Sequence, residues 1–287
     1  MRIAFLVPAP DYPEPWRWAY EPEAEILRNA GADVDPVAWT EAGDLSGYDL
    51  VLPLVAWGYH QDYDRWLEVL GRCEAAGLRV INPPALLRWN GDKEYLAELA
   101  DGGVPTVPTI AVEQCRDEDL EEARKRFASD WLVIKPPISA SAHGTHLMGP
   151  NDDLPDDSRG APMILQPLIE EIGRTGEFSL MLFGGEYSHA VVKRPKTGDF
   201  RVQEYLGGVT LPCEAPPAGA VELAKAALAA APAEAAYARV DIVPDDDGVL
   251  RIMELELIEP SLFLDHAPDG GASFAQAILS AAKRAHE

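Results

Sequence analysis

The sequence predicts a mixed α/β protein, with a parallel α/β layer at its N-terminal end and antiparallel strands toward its C-terminal end. Three observations carry this expectation. Short apolar runs alternate with helical stretches over the first 82 residues, as in a parallel sheet with crossover helices. Further on, GEFSLMLFGGEYSHAVVKR turns at Gly184-Gly185 between two apolar-rich runs, as a β-hairpin does. A second hairpin signal, ARVDIVPDDDGVLRIMELELIEPSLF from Ala238 to Phe263, turns at Asp245 to Gly248. With 287 residues, 47% of them hydrophobic, the chain can build two or three packed subdomains and a full core.

In chain order, Ile3 to Val7 reads as a buried strand. A Pro-rich loop follows and becomes helical over about Glu21 to Ala30, stopping at Gly31. Strands are expected near Val34 to Ala38, Tyr48 to Leu54 and Arg79 to Ile81, with a helix over Asp62 to Ala76 before the last of them. Asn82-Pro83-Pro84 is a turn and a subdomain boundary. Asn90 to Ala100 reads as one helix with Lys93 in its first turn, where the helix dipole favours anions rather than a cation. A charged helix over Asp117 to Ala128 precedes a strand from Trp131 to Ile134, closed by Lys135. Met163 to Leu168 is the next strand. After the first hairpin, Asp199 to Tyr205 continues to Gly207-Gly208, and an Ala-rich helix spans Ala218 to Ala231. A final helix is expected from about Ser273 to the end.

Composition excludes several function classes. A net charge of −24 argues against a broad nucleic-acid or anionic-membrane surface, so a bound polyanion needs a local cationic pocket. Three widely spaced cysteines (Cys73, Cys115, Cys213) suggest neither a disulfide framework nor a zinc cluster and fit a reducing cytoplasm. The opening RIAFLVP is too short for the apolar segment of a signal peptide, and no run reaches a membrane span of about 18 residues.

Along a strand, alternate side chains share a face. Arg239 and Asp241 therefore lie together on one strand of the second hairpin, and Glu254 and Glu256 on the other. Adjacent carboxylates repel unless cations join them, and oxygen donors of this kind suit Mg²⁺ with phosphate oxygens. On charge alone the pattern also fits a solvated strand face in an acidic protein. Lys93 and Lys135 are each either solvated or held for a phosphate. The segment ISASAHGTHLMG is rich in small residues, which let backbone amides approach a phosphate; neither GxxxxGK[ST] nor GxGxxG occurs. Trp16, Trp18, Tyr20, Trp57, Tyr59 and His60 lie in loops after the first and third strands, where ligands bind such sheets. They are either a small-molecule pocket wall or packing over the sheet edge.

Eight pieces in order, RWNGDKEYLAELADGGVPTVPT, VIKP, the small-residue loop, LQPLIEEI, GEFSLMLFGGEYSHAVVKRP, FRVQEYLGG, YARVD and IMELELIEPSLF, resemble the ATP-grasp superfamily over nearly the whole chain. Within it the glutathione synthetase and ribosomal-protein glutamate ligase branch is similar. WGYH and MELELIEP resemble the O-ureido-D-serine cyclo-ligase type. The resemblance implies an ATP-grasp fold: an N-terminal substrate-side α/β domain over residues 1–82, then an ATP-grasp domain over 83–287 with a small lid subdomain at about 104–165. It implies that Lys93 and Lys135 hold the nucleotide phosphates and that Ile138 to Gly149, with Ser139 and Ser141, covers them. It further implies an adenine hinge at Gln166, Pro167, Leu168 and Ile169, with Glu177 and Glu171 as ribose or hinge contacts. Asp241, Glu254 and Glu256 match the Mg²⁺ (or Mn²⁺) ligands; many relatives carry Asn where this chain has Glu256. Arg201 and Arg239 match arginines near the transferred phosphoryl group. His189 and Lys193, with Trp16, Trp57, Tyr59 and His60, are substrate-side candidates.

The implied reaction is ligation of a carboxylate to an amine or similar nucleophile through an acyl phosphate, with release of ADP and phosphate. The substrate would be a small amino-acid or short-peptide molecule. Such chemistry needs positioning and charge neutralisation, not a nucleophilic side chain, and the chain has no GxSxG or HExxH motif. An ATP-grasp kinase and a non-catalytic nucleotide-binding regulator are the alternatives. Relatives of this kind also imply a homodimer.

Overall fold

Every residue of β1 (Arg2–Val7) after Arg2 is buried, and a strand so apolar needs cover on both faces. Ile3, Phe5 and Val7 meet Tyr20, Ala24 and Leu27 of α1 (Arg17–Asn29) on one side. β2 (Asp33–Ala38) and β3 (Leu50–Leu52) flank β1 in parallel, in the order β2-β1-β3. On the other side Ala4 and Leu6 meet Trp66, Val69 and Leu70 of α2 (Tyr63–Ala75). The strand expected over Arg79 to Ile81 is reduced to one bridge, Val51 with Val80, because the chain then turns at Asn82 to bond a different sheet. The computed structural model describes residues 1–283.

The single helix expected over Asn90 to Ala100 is two helices, α3 (Pro84–Gly91) and α4 (Tyr95–Asp101). Asp92 is extended (φ −114°, ψ 119°), and the Lys93 amide donates to Pro137 O at 3.0 Å rather than to a helical carbonyl. Lys93 therefore stands at a break between helices, directly before the N-cap of α4, and not inside a first turn.

β4 (Ile110–Val112), α5 (Asp117–Phe127), β5 (Leu132–Lys135), β6 (His146–Met148) and β7 (Met163–Pro167) form the second unit. Its antiparallel sheet runs β4-β7-β5-β6, with Leu120 and Ala123 of α5 packed on Leu132, Ile134 and Leu165. A short α6 (Ile172–Thr175) leads into β8 (Glu177–Phe183), β9 (Glu186–Arg194), β10 (Val209–Cys213), α7 (Ala220–Ala229), β11 (Tyr237–Pro244) and β12 (Leu250–Glu256). These strands make an antiparallel sheet, β10-β9-β8-β11-β12. β10 lies where no strand is expected from the sequence; it is a half-exposed edge carrying Pro212, a residue confined to such edges. The last helix, α8, spans Ala272–Ala281, and the end of the helix expected there lies outside the described residues.

One face of the five-stranded sheet shares a core with the N-terminal sheet: Met181, Phe183, Val191 and Tyr237 pack in the same cluster as Ile3, Phe5, Phe274 and Ile278. The other face packs on α4 and α7. β12 is an edge strand, and side chains cover its backbone. Asn90 bonds Leu255 O and Leu257 N at 2.8 and 2.9 Å. Tyr95 Oη donates to Leu255 O and accepts from its amide. Lower down, Ile252 exchanges backbone bonds with Pro105 and Val107. An edge so covered cannot pair with another chain. No helix among the described residues is long and apolar enough to cross a membrane.

Candidate active site

The register of β11 against its neighbours sets the charges. Asp241 stands opposite Glu254 on β12 and Ser179 on β8, and Arg239 stands opposite Glu256. Across β8 and β9, Glu177 faces Lys193. Gly176 permits this last pairing: a Cβ there would lie 2.7 Å from Lys193 O. Lys193 Nζ sits 2.6 Å from Glu177 Oε1 and 3.2 Å from Asp241 Oδ2. Arg239 Nε donates to Asp241 Oδ1 at 3.1 Å, and its Nη2 donates to both Asp241 and Glu256. Ser179 Oγ donates to Asp241 Oδ1 at 2.5 Å. Lys93 Nζ reaches Glu254 Oε1 at 3.1 Å and Ser139 O at 2.5 Å.

Lys93, Lys135, Glu177, Lys193, Arg239 and Asp241 are all buried, and buried charges persist only when paired and hydrogen-bonded. Against its burial, Arg239 and Lys193 hold the Asp241 carboxyl well below the carboxylate range. Lys93 and Lys135 likewise outweigh burial to lower Glu254. Burial wins at Glu256, pushed up to about 7. Lys135 differs from the others: it forms no ion pair within 4 Å among the described residues, and burial lowers its pKa.

Whether these residues fit a divalent cation turns on their free oxygens. The Glu254 and Glu256 side chains are 25% and 29% exposed, and both carry hard oxygen donors from one face of β12. They fit Mg²⁺ shared with phosphate oxygens. Asp241 is held differently, with both oxygens engaged by Arg239, Lys193 and Ser179. Among the described residues, no three His, Cys, Asp or Glu side chains stand grouped to hold a metal by themselves.

The segment from Pro136 to Gly149 meets the cluster at Lys93, through Pro137 O and Ser139 O. Besides the Lys93 bonds, Tyr205 Oη donates to Ser141 O, Ser139 Oγ donates to Pro136 O, and Ser141 and Ala142 are left-handed (φ 51° and 53°). His143 of this segment meets His60 with ring centroids 6.1 Å apart. Gly58, at φ 86°, turns the chain so that Tyr59 packs inward while His60 faces His143; a Cβ there would lie 3.2 Å from the Tyr12 ring. At the far end of the segment, Gln166 Nε2 donates to Thr109 Oγ1 at 2.9 Å, Pro167 pairs with Leu132, the Leu168 amide donates to Trp131 O, and Ile169 is buried. Glu171 bonds Arg174 instead of approaching this cluster.

Three further candidates are placed apart from the charge cluster or already engaged. Arg201 makes its side-chain bonds to Asp199 and does not join Arg239. His189 Nε2 bonds Leu262 O and Phe263 O, pinning a loop. Tyr59 is 6% exposed and packs on Trp66 in the core. Trp57 instead gathers Tyr12 and Trp18, the latter 64% exposed, into an aromatic group, while Trp16 packs on Tyr20. Glu259 is missed by the strand alternation, because β12 ends at Glu256 and the following turn brings Glu259 back within electrostatic reach of Glu256, Arg239, Lys93 and Glu254. Burial first, and then Glu256, push its carboxyl up to about 8.

Known proteins resemble this chain over most of its length. Residues 3–82 match the family described as the N-terminal domain of D-cycloserine synthetase DcsG. The cycloserine biosynthesis protein DcsG of Streptomyces lavendulae is 32% identical over 298 residues, covering 91% of this chain and 93% of that protein. The crystal structure of D-cycloserine synthetase DcsG superposes with a TM-score of 0.83 at 28% identity, covering 99% of both chains. A D-alanine–D-alanine ligase from Bacillus anthracis shares the fold at 16% identity, with a TM-score of 0.69 and coverage of 99% and 98%. The ATP-grasp ligase PsnB does so at 19%, with a TM-score of 0.64 and coverage of 97% and 99%. The chain belongs to the ATP-grasp ligases and, within them, to the family of the cycloserine biosynthesis protein DcsG.

Proposed function

We propose that this ATP-grasp ligase activates the carboxylate of a serine-derived amino acid with ATP and joins it to a nitrogen of the same molecule, closing a ring. ATP-dependent activation is supported by the charge arrangement on β11 and β12, where Lys93–Glu254 and Arg239–Glu256 stand beside Lys135, which has no ion pair within 4 Å among the described residues. The serine-derived substrate and the ring closure are supported by the similarity to D-cycloserine synthetase DcsG. In this reading residues 1–82 form the substrate side and residues 104–165 the lid. Lys93 and Lys135 hold the phosphates, Pro136 to Gly149 covers them, and Gln166 to Ile169 line the adenine. Arg239 steadies the phosphoryl group in transfer, and Arg201 joins it if the lid segment moves inward. Glu254 and Glu256, with Asp241 behind them, would hold Mg²⁺, which supplies charge neutralisation on the phosphates when bound. The substrate carboxylate attacks the γ-phosphorus and ADP leaves. The nitrogen then attacks the acyl carbon, losing its proton as phosphate departs. The three cysteines are unbonded, in keeping with a cytoplasmic enzyme.

The test is ADP and phosphate release from Mg-ATP with a panel of amino acids that includes O-ureido-D-serine, with products followed by mass. Release that depends on a carboxylate substrate, with no phosphoryl group retained in the product, is the expected result. A product that keeps a phosphoryl group would instead make the enzyme a kinase. Mg-ATP binding without release on any member of the panel would overturn the ligase reading.

A further inference from the structure

We propose that Glu259 binds the cationic amine of the substrate and so selects amino acids over amine-free carboxylates. The inference rests on the ligase reading above. Ion pairing around the cleft is nearly closed. Lys93 takes Glu254, Lys193 takes Glu177 and Asp241, and Arg239 takes Asp241 and Glu256. This leaves one lysine, Lys135, and one carboxyl, Glu259, neither with an ion pair within 4 Å among the described residues. A phosphate answers the first. Burial and then Glu256 disfavour the ionised form of the second, and Arg239 and Lys93 offset this only in part, so a cation brought to its oxygens would be bound as it ionises.

Its placement is fixed from both sides. Tyr237 Oη donates to Ile258 O at 2.7 Å, Arg239 Nη1 to Ser261 O, and His189 Nε2 bonds the carbonyls of Leu262 and Phe263. Leu257 and Ile258 are buried before it, and Pro260 after it. The carboxylate is thus held on a pinned turn while its own oxygens accept no bond from the described residues. It is partly exposed and lies within electrostatic reach of Tyr12 and Tyr59, from the two loops of the N-terminal sheet. A small amino acid set between those loops and β12 would bring its carboxylate to the Arg239 side and its ammonium to Glu259. A preorganised, unsatisfied acceptor of this kind discriminates strongly for the group that satisfies it.

Wild type and Glu259→Gln, both loaded with Mg-ADP, are titrated by calorimetry with O-ureido-D-serine and with its analogue lacking the α-amino group. The variant is expected to lose about tenfold or more in affinity for the amine-bearing probe, as for a charge-assisted hydrogen bond. It should bind the amine-free probe, ATP and Mg²⁺ as the wild type does. Equal losses on both probes, no loss on either, or a raised Mg²⁺ requirement would overturn the proposal. Wild type that turns over O-ureido-D-serine while Glu259→Gln is unaffected sinks this inference alone. Wild type with no carboxylate-dependent ADP release sinks the ligase reading and this inference with it.

Discussion

Each charged side chain in the cleft is defined by what it faces. Glu254 bonds only Lys93 and keeps a quarter of its side chain exposed, so its removal frees Lys93 without opening the core. Glu254→Ala should therefore keep the fold, read as a retained cooperative urea transition at a lowered midpoint because buried Lys93 loses its ion pair, and lose most ADP release; near-normal turnover would remove Glu254 from the metal assignment. His60 is a second residue-scale case. Burial, with His143 and Lys93 adding to it, lowers its pKa to about 4. The unfolded chain takes up this proton first, near 6.5, so the contribution of His60 to stability is complete above that value and is lost as pH falls toward 4. The stability of wild type relative to His60→Gln should then fall between pH of about 7 and about 5. A difference that stays constant across that range would mean that His60 takes up its proton as readily in the folded protein as in the unfolded chain.

At the scale of elements, β11 and β12 carry the charges that the proposed reaction uses, and their ends are held by side chains from another part of the chain. Asn82 accepts from Ala236 N and donates to Tyr237 O and Leu257 O, at 2.7 to 2.9 Å. Cutting it to Ala leaves three buried backbone groups unpaired, at a cost of about 2–5 kcal/mol. Asn82→Ala should lower the unfolding free energy by that amount, read as a lower urea midpoint at an unchanged slope, and also lower turnover, because Leu257 leads directly to Glu259. Loss of stability with full activity would separate this anchor from the site. Gly176 works in the same way at the other end of the sheet. Gly176→Ala forces β8 away from Lys193 O and should weaken the Glu177–Lys193 pair, read as reduced nucleotide affinity.

For the whole molecule, a net charge of −24 surrounds a cleft that must receive a polyanion. Global repulsion and the local cations act in opposite senses, and salt screens the long-range part first. Raising ionic strength from about 0.01 M to about 0.15 M should therefore speed nucleotide association, by about two- to threefold; slower association would show that the cleft cations dominate the approach. The common core of the N-terminal and five-stranded sheets belongs to this scale too, since it fixes the two sheets relative to each other.

The sequence by itself determined the alternating order of strands and helices, both hairpins, and the strand positions of Arg239, Asp241, Glu254 and Glu256. These follow from local rules: apolar periodicity, Gly turns, and alternation of side chains along a strand. Only the tertiary structure decided the break in the helix at Lys93, the edge strand β10, the contacts made by His189 and Arg201, and the place of Glu259. Lys93 leaves its helix to reach Pro137 and Ser139, and His189 bonds a loop 73 residues away. Glu259 returns to the cleft because a turn after β12 interrupts the alternation. In each case the deciding partner is distant in sequence, and long-range pairing of buried polar groups overrides what local propensity and period can specify.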